Sequence, residues 1–177
     1  MADSSGLSAA TIGFLTVLQE PSGQLGGYLV TNGWGRPLEF RLSTAVLPNQ
    51  VHKILYGPTL DNYICGELIG KTLVEKTATP VRLIITDRQA ALDLRGKVDV
   101  PVVWLANGDA AGDGAQVLPG IEERGPVYCH PRFAQDAAAI RPLLENLDEA
   151  LDLAEPFGRI REAIAEARKM GVTAKGN

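Results

Sequence analysis

The chain has 177 residues, of which 45% are hydrophobic and 21% charged, a composition typical of one globular domain with its own core rather than of a disordered or fibrous chain. The formal net charge of −4 argues against the broadly basic surface that non-specific nucleic-acid binding uses. The two cysteines are too few for a disulfide framework or a cysteine metal site, which favours a reducing compartment.

The N-terminal ten residues are small and polar, and they lack the basic region and apolar core of a signal peptide. No apolar run is long enough to cross a bilayer. We therefore expect a cytoplasmic protein without membrane contact. Its predicted organisation is a flexible N-terminus (1–10), a single α/β domain (11–154), and a C-terminal helix and tail (155–177).

The first part of the domain has the pattern of three short strands. They are predicted at Thr11–Leu18, at Gly26–Thr31 and at Pro37–Ser43. Asn32-Gly33 follows the second run and is a strong hairpin signal. Short turns between consecutive strands predict an antiparallel meander.

The pattern then changes to helices alternating with buried strands. Apolar runs at Val81–Asp87 and Pro101–Ala106 are typical of parallel strands covered on both faces. Helical spacing predicts the remaining elements, namely Leu60–Lys76, Arg88–Leu94, Arg132–Ala154 and Glu155–Met170. The fold class expected is α/β: a mixed sheet with an N-terminal three-stranded meander, then parallel strands with crossover helices, plus C-terminal helices.

This order of elements resembles that of the ribonuclease H-like superfamily over roughly Thr11 to Ala106. Gly26-Gly27-Tyr28-Leu29-Val30 is similar to the glycine-rich start of the second strand in that family. The resemblance implies divalent metal ions held by carboxylates for phosphodiester cleavage, with Glu67 on the first helix, Asp87 after the fourth strand and Asp136 in a later helix. The first strand, Ile12–Leu18, has no acidic residue where the family has one. The resemblance therefore implies a degenerate fold with weakened or absent nuclease chemistry.

The candidate carboxylates also have structural interpretations. Glu67 and Lys71 are spaced to form an ion pair on one helix, and Asp87 can cap the helix that follows it. Asp148 and Glu145 are as available as Asp136 for the last carboxylate position.

Two further features outside the carboxylates have open interpretations. Trp34 and Arg36 lie at a hairpin tip, where they either contact a partner or fold back on the sheet. Cys129-His130 has the residue types of a nucleophile or metal pair, but an isolated pair of this kind is more often structural.

Two functions follow as hypotheses. The first is a non-enzymatic interaction module that binds a protein partner or associates with itself, without a cofactor or metal. The alternative is a metal-dependent, phosphodiester-cleaving enzyme that uses Mg²⁺ or Mn²⁺ with Glu67, Asp87 and Asp136. Nucleic acid is a possible partner that the net charge does not favour.

Overall fold

The computed structural model describes residue 6 and residues 10–108, 116–118 and 124–171. Most of the segment predicted to be flexible (1–10) and the tail after residue 171 therefore lie outside the described residues. None of the helices in the described part of the chain is both long enough and apolar enough to cross a membrane.

Seven strands form one mixed sheet, in the order β3-β2-β1-β4-β5-β7-β6. Strands β1, β2 and β3 pair antiparallel, whereas β4 is parallel to both β1 and β5. The predicted mixed sheet is confirmed, and an antiparallel pair, β7 and β6, extends it beyond β5. The strands are β1 (Ile12–Glu20), β2 (Gly23–Thr31), β3 (Pro37–Leu42), β4 (Leu83–Thr86), β5 (Val102–Leu105), β6 (Gln116–Val117) and β7 (Val127–Cys129).

Helices cover both faces of the sheet. A short helix, α1 (Gln50–Tyr56), precedes a longer one, α2, which runs without interruption through Leu60–Asn62, Tyr63–Lys71 and Thr72–Lys76 and is wound as a π-helix in its middle stretch. The chain ends in α3 (Ala137–Glu145) and α4 (Glu155–Lys169). Single 3₁₀ segments occupy Gly57–Thr59, Gln89–Lys97 and Pro131–Asp136.

The predicted helix Arg132–Ala154 is shorter in the structure, because α3 ends at Glu145. The loop that follows α3 still buries Leu147, Leu151 and Leu153. Their helix-like spacing therefore reflects burial in a loop and not helix formation. The Arg124 guanidinium donates hydrogen bonds to the carbonyls of residues 147, 148 and 151, which takes the place of helical hydrogen bonding.

Alternation along β1 divides the core into two layers. Ile12 and Phe14 face α3 and α4, whereas Leu15 and Val17 face α2. The Phe14 ring meets that of Phe157 in α4 edge to face, with the centroids 5.6 Å apart.

Two glycines in the middle of β2 let helices lie close to both faces of the sheet. A Cβ at Gly26 would come within 2.1 Å of Ile69 in α2, and one at Gly27 within 2.4 Å of Ile160 in α4. Any side chain here would therefore push a helix away from the sheet. The close approach of α4 brings its polar side to the edge of the sheet where β1 and β4 end.

Candidate ligand-binding cleft

A polar cleft of about 340 Å³ opens at the carboxyl ends of β1, β4 and β5. This edge of an open α/β sheet is where ligands commonly bind. Polar side chains from the strand ends and from α4 line it together with a few apolar ones; the lining residues are Thr16, Val17, Leu18, Gln19, Asp87, Arg88, Leu105, Asn107, Ala154, Phe157 and Arg161.

Thr16 and Asp87 lie side by side at the end of the sheet. Leu15 pairs with Thr86 in the parallel register, so the next residue on each strand is also adjacent. Both side chains face α4, because they follow the alternation that begins with Phe14 on β1 and with Ile85 on β4. Thr16 thus stands on the first strand, beside the fourth-strand aspartate.

Two polar atoms of this pair are buried without a hydrogen-bond partner among the described residues. They are the hydroxyl oxygen of Thr16, a residue with no exposed surface, and Oδ1 of Asp87. A buried polar atom without a partner costs folding free energy of about 1–3 kcal/mol. Two such atoms at one cleft indicate a place that a ligand or water completes.

Arg161 of α4 is one of two cationic residues among those that line the cleft, the other being Arg88. The Arg161 guanidinium contacts Oδ2 of Asp87, and Asp87 is the only polar partner of Arg161 within the described chain. The Arg161 side chain is 49% exposed. Arg161 thus lines the cleft with a guanidinium that is partly open to solvent. Arg168, two turns further along α4, pairs in the same way with Glu20 at the end of β1 but does not line the cleft.

The three candidate carboxylates of the sequence analysis each meet a different cation. Glu67 lies 3.5 Å from Nζ of Lys97. Asp136 accepts hydrogen bonds from Arg95 at 2.7 and 3.3 Å, and that guanidinium also stacks over the ring of Phe133. Only Asp87 lines the cleft. Across residues 10–108, 116–118 and 124–171, no group of three or more His, Cys, Asp or Glu side chains is placed to hold a metal ion.

Both structural interpretations of the acids are wrong in detail. Glu67 pairs with Lys97, which is distant in sequence but close in the fold, rather than with Lys71. Lys71 pairs instead with Glu75 on the same helix. Asp87 does not cap the 3₁₀ segment that follows, since the backbone N–H of Arg88 bonds to the hydroxyl of Thr86 instead.

The hairpin tip folds back towards the loop before α4. The Asn32 side chain accepts hydrogen bonds from the backbone N–H groups of Trp34 and Arg36, which fixes the turn. The carbonyl of Gly35 accepts a hydrogen bond from Arg159, and that of residue 33 accepts one from the backbone of residue 148. Trp34 remains 44% exposed beside a second cavity of about 450 Å³.

Cys129 and His130 are held by structural contacts. Burial raises the pKa of the Cys129 thiol, which disfavours the nucleophilic thiolate. The His130 ring accepts a hydrogen bond from the backbone N–H of Arg132 and thereby caps the 3₁₀ segment that follows. Its other ring nitrogen lies 3.2 Å from a carboxylate oxygen of Asp93.

Another cavity lies at the opposite edge of the sheet, near the start of β1. Its volume is about 730 Å³, and apolar residues dominate its lining. Residues 6 and 10 form part of its wall, while residues 7–9 between them lie outside the described chain. Arg82 and Asp99 are the charged residues that line it among those described, and none of the buried, unpartnered side-chain atoms of the described chain belongs to a residue of its lining.

Sequence reasoning did not select Thr16 or Arg161. Thr16 is the one polar side chain in the buried part of β1, Ile12–Val17, and that signal could have drawn attention to it. Arg161 lies 74 residues from Asp87 in the chain, so its pairing depends on how α4 crosses the sheet.

Comparison with known proteins gives a likeness of fold. No protein-family model and no curated protein matches the chain. Among solved structures, the chain is similar to endonuclease V of Bacillus subtilis, with a TM-score of 0.53 and 10% sequence identity. The match covers 95% of this chain and 84% of the other. The protein is therefore an α/β protein whose fold resembles that of a nuclease.

Proposed function

We propose that this protein binds a phosphate-bearing ligand of nucleic-acid type in the cleft between β1, β4 and α4, without using the two-metal chemistry of a nuclease. The observation that carries the proposal is the Arg161–Asp87 pair beside the unpartnered hydroxyl of Thr16. We propose further that the fold is a degenerate ribonuclease H-like one, with threonine at the position of the first-strand carboxylate.

The donors and acceptors of the cleft suit a phosphate joined to a sugar or base. Among the described residues, Arg161 has Asp87 as its one polar partner, and a guanidinium can bind a phosphate through paired hydrogen bonds. The Thr16 hydroxyl and the Asn107 amide add neutral donors. Oδ1 of Asp87 offers an acceptor for a hydroxyl or amino group of the same ligand.

The size of the cleft limits the ligand. A volume of about 340 Å³ is near the lower end of the range usual for small-molecule sites, roughly 300–1,000 Å³. A single nucleotide unit fits such a volume, whereas a length of duplex does not. This supports recognition of a strand end, an extruded nucleotide or a free nucleotide.

Arg161 also explains why cleavage is not the favoured activity. Its guanidinium is already at Asp87, where a divalent cation would have to bind, and Thr16 contributes no negative charge. Two-metal sites need several carboxylates to offset the charge of both ions. The arginine thus serves as the resident cation of the cleft.

Metal-dependent phosphodiester cleavage is the second candidate. Likeness to a protein named as an endonuclease favours a nuclease over an interaction module, and Asp87 is the carboxylate that would hold Mg²⁺ or Mn²⁺ together with the ligand phosphate. This candidate predicts that either ion raises the melting temperature and that Asp87→Asn abolishes the effect.

Fluorescence anisotropy with a labelled single-stranded oligonucleotide tests the proposal. In EDTA, the wild type should bind, and Arg161→Gln should weaken binding by roughly tenfold, the loss expected for a charge-assisted phosphate contact. Arg168→Gln is the matched control, because it removes the same charge from the same helix outside the cleft. Equal losses in both variants would refute a specific site, and cleavage in Mg²⁺ or Mn²⁺ would favour the second candidate.

A further inference from the structure

Helix α1 exposes an apolar surface that no other element of the described part of the chain covers. None of its seven residues is buried, although Val51, Ile54 and Leu55 are 60%, 69% and 74% exposed. Leu47, just before the helix, is 70% exposed. Exposed apolar side chains are common one at a time, whereas here four lie within nine consecutive residues and three of them belong to one short helix.

The helix is well formed, so this exposure is not the result of a frayed end. Asn49 caps it by accepting the backbone N–H of His52 at 2.8 Å. Gly57 ends it with φ of +51°, a conformation that favours glycine.

The helix is attached through the side opposite its apolar face. The Tyr56 ring stacks on that of Tyr63 in α2, with the centroids 4.3 Å apart. Val51, Ile54 and Leu55 share one face through their i, i+3 and i+4 spacing, and at 3.6 residues per turn Tyr56 projects from the other side. The apolar face therefore points away from the body of the protein.

We propose that the apolar face of α1, formed by Val51, Ile54 and Leu55 with the adjacent Leu47, is the contact between two copies of this chain. The face is self-compatible, because the one charged residue of α1, Lys53, lies on the side away from it. A two-fold contact thus brings no like charges together, and the face offers no charge to a strongly acidic or basic partner.

The area agrees with a contact between two copies. The exposed fractions of the four side chains correspond to roughly 500 Å² of mainly apolar surface, at the upper end for a patch on a monomer. A standard interface buries about 800 Å² per partner, with an apolar core and a polar rim. The patch supplies the core, and polar neighbours such as Gln50 and His52 supply the rim.

Sedimentation equilibrium over a concentration series tests this contact. The wild type should be a dimer, and Ile54→Glu should be a monomer with an unchanged circular dichroism spectrum, because the residue is not part of the core. Leu38→Glu is the matched control, since Leu38 is an exposed apolar residue on the edge strand β3. A monomeric wild type, or a dimer that survives Ile54→Glu or is lost in Leu38→Glu, would overturn the proposal.

Cross-linking gives an independent measurement. Cys65 and Cys129 are buried, so a cysteine introduced at Ile54 is the accessible thiol for a bismaleimide. Ile54→Cys should give covalent dimers, whereas the exposed control Glu162→Cys should not. Absence of cross-linking at position 54 would overturn the two-fold contact even if the protein were dimeric.

Discussion

Thr16→Val is the substitution that separates a binding function from a structural role at the cleft. Valine has nearly the same shape as threonine but lacks the hydroxyl, and the Thr16 hydroxyl is fully buried without a partner among the described residues. Removing an unsatisfied buried hydroxyl recovers part of a cost of about 1–3 kcal/mol. We therefore expect the variant to be more stable than the wild type by about 1 kcal/mol, or about 2–4 °C in melting temperature for a chain of this size.

Thr86→Val provides the internal comparison. Thr86 is equally buried on the neighbouring strand, but its hydroxyl accepts the backbone N–H of Arg88 at 3.1 Å. Without the Thr86 hydroxyl, the backbone N–H of Arg88 loses this hydrogen bond, and the free energy of unfolding should fall by about 1–2 kcal/mol. Urea denaturation followed by circular dichroism measures both changes. The reasoning about Thr16 is refuted if Thr16→Val destabilises the protein as much as Thr86→Val does.

Three further predictions concern charge, packing and thiol chemistry. Desolvation raises the pKa of Glu39, but hydrogen bonds from Thr79, Arg41 and Ala78 outweigh it and lower the pKa from 4.5 to about 2. The stability that Glu39 contributes is therefore present above about pH 4.5 and is lost as the pH falls towards 2, so Glu39→Gln should be less stable than the wild type at pH 7 and equal to it near pH 2 in urea titrations. Gly26→Ala should lose about 1–3 kcal/mol by overpacking against α2, whereas Gly158→Ala in α4, with nothing within 4 Å of the new Cβ, should gain up to about 1 kcal/mol. Burial raises the pKa of Cys65 to about 11 and also raises that of Cys129, so neither thiol should react with Ellman's reagent at pH 8 until the protein is unfolded; rapid reaction of the native protein would contradict this.

The sheet could be predicted from the sequence because its signals are local. Alternating or continuous apolar runs identify strands, and short turns fix the antiparallel meander. The close packing of helices against β2 was not predicted. Gly26 and Gly27 were interpreted only as a family motif, and the structure shows that they make room for α2 and α4. The loop at 146–154 could not be distinguished from helix, because buried leucines recur there at helical spacing while Arg124 supplies the hydrogen bonds.

The cleft depends on contacts that local patterns do not contain. Asp87 was a candidate from its place after β4, but its pairing with Arg161 follows from the course of α4 across the sheet. Glu67 and Asp136 bind Lys97 and Arg95, partners that lie 30 and 41 residues away in the chain. Distant ion pairs of this kind are set by tertiary structure, so the sequence pattern offered only the local partner Lys71 for Glu67 and no partner for Asp136.

The most direct test of the account is a two-dimensional ¹⁵N–¹H NMR titration with a short 5′-phosphorylated oligonucleotide in EDTA. If the cleft binds phosphate without metal, amide shifts should change at the carboxyl ends of β1, β4 and β5, around Thr16, Asp87 and Asn107, and in the part of α4 near Arg161. The same titration of Arg161→Gln should show much smaller changes at these amides. Shift changes at another surface, or none until Mg²⁺ is added, would contradict metal-independent binding in the cleft.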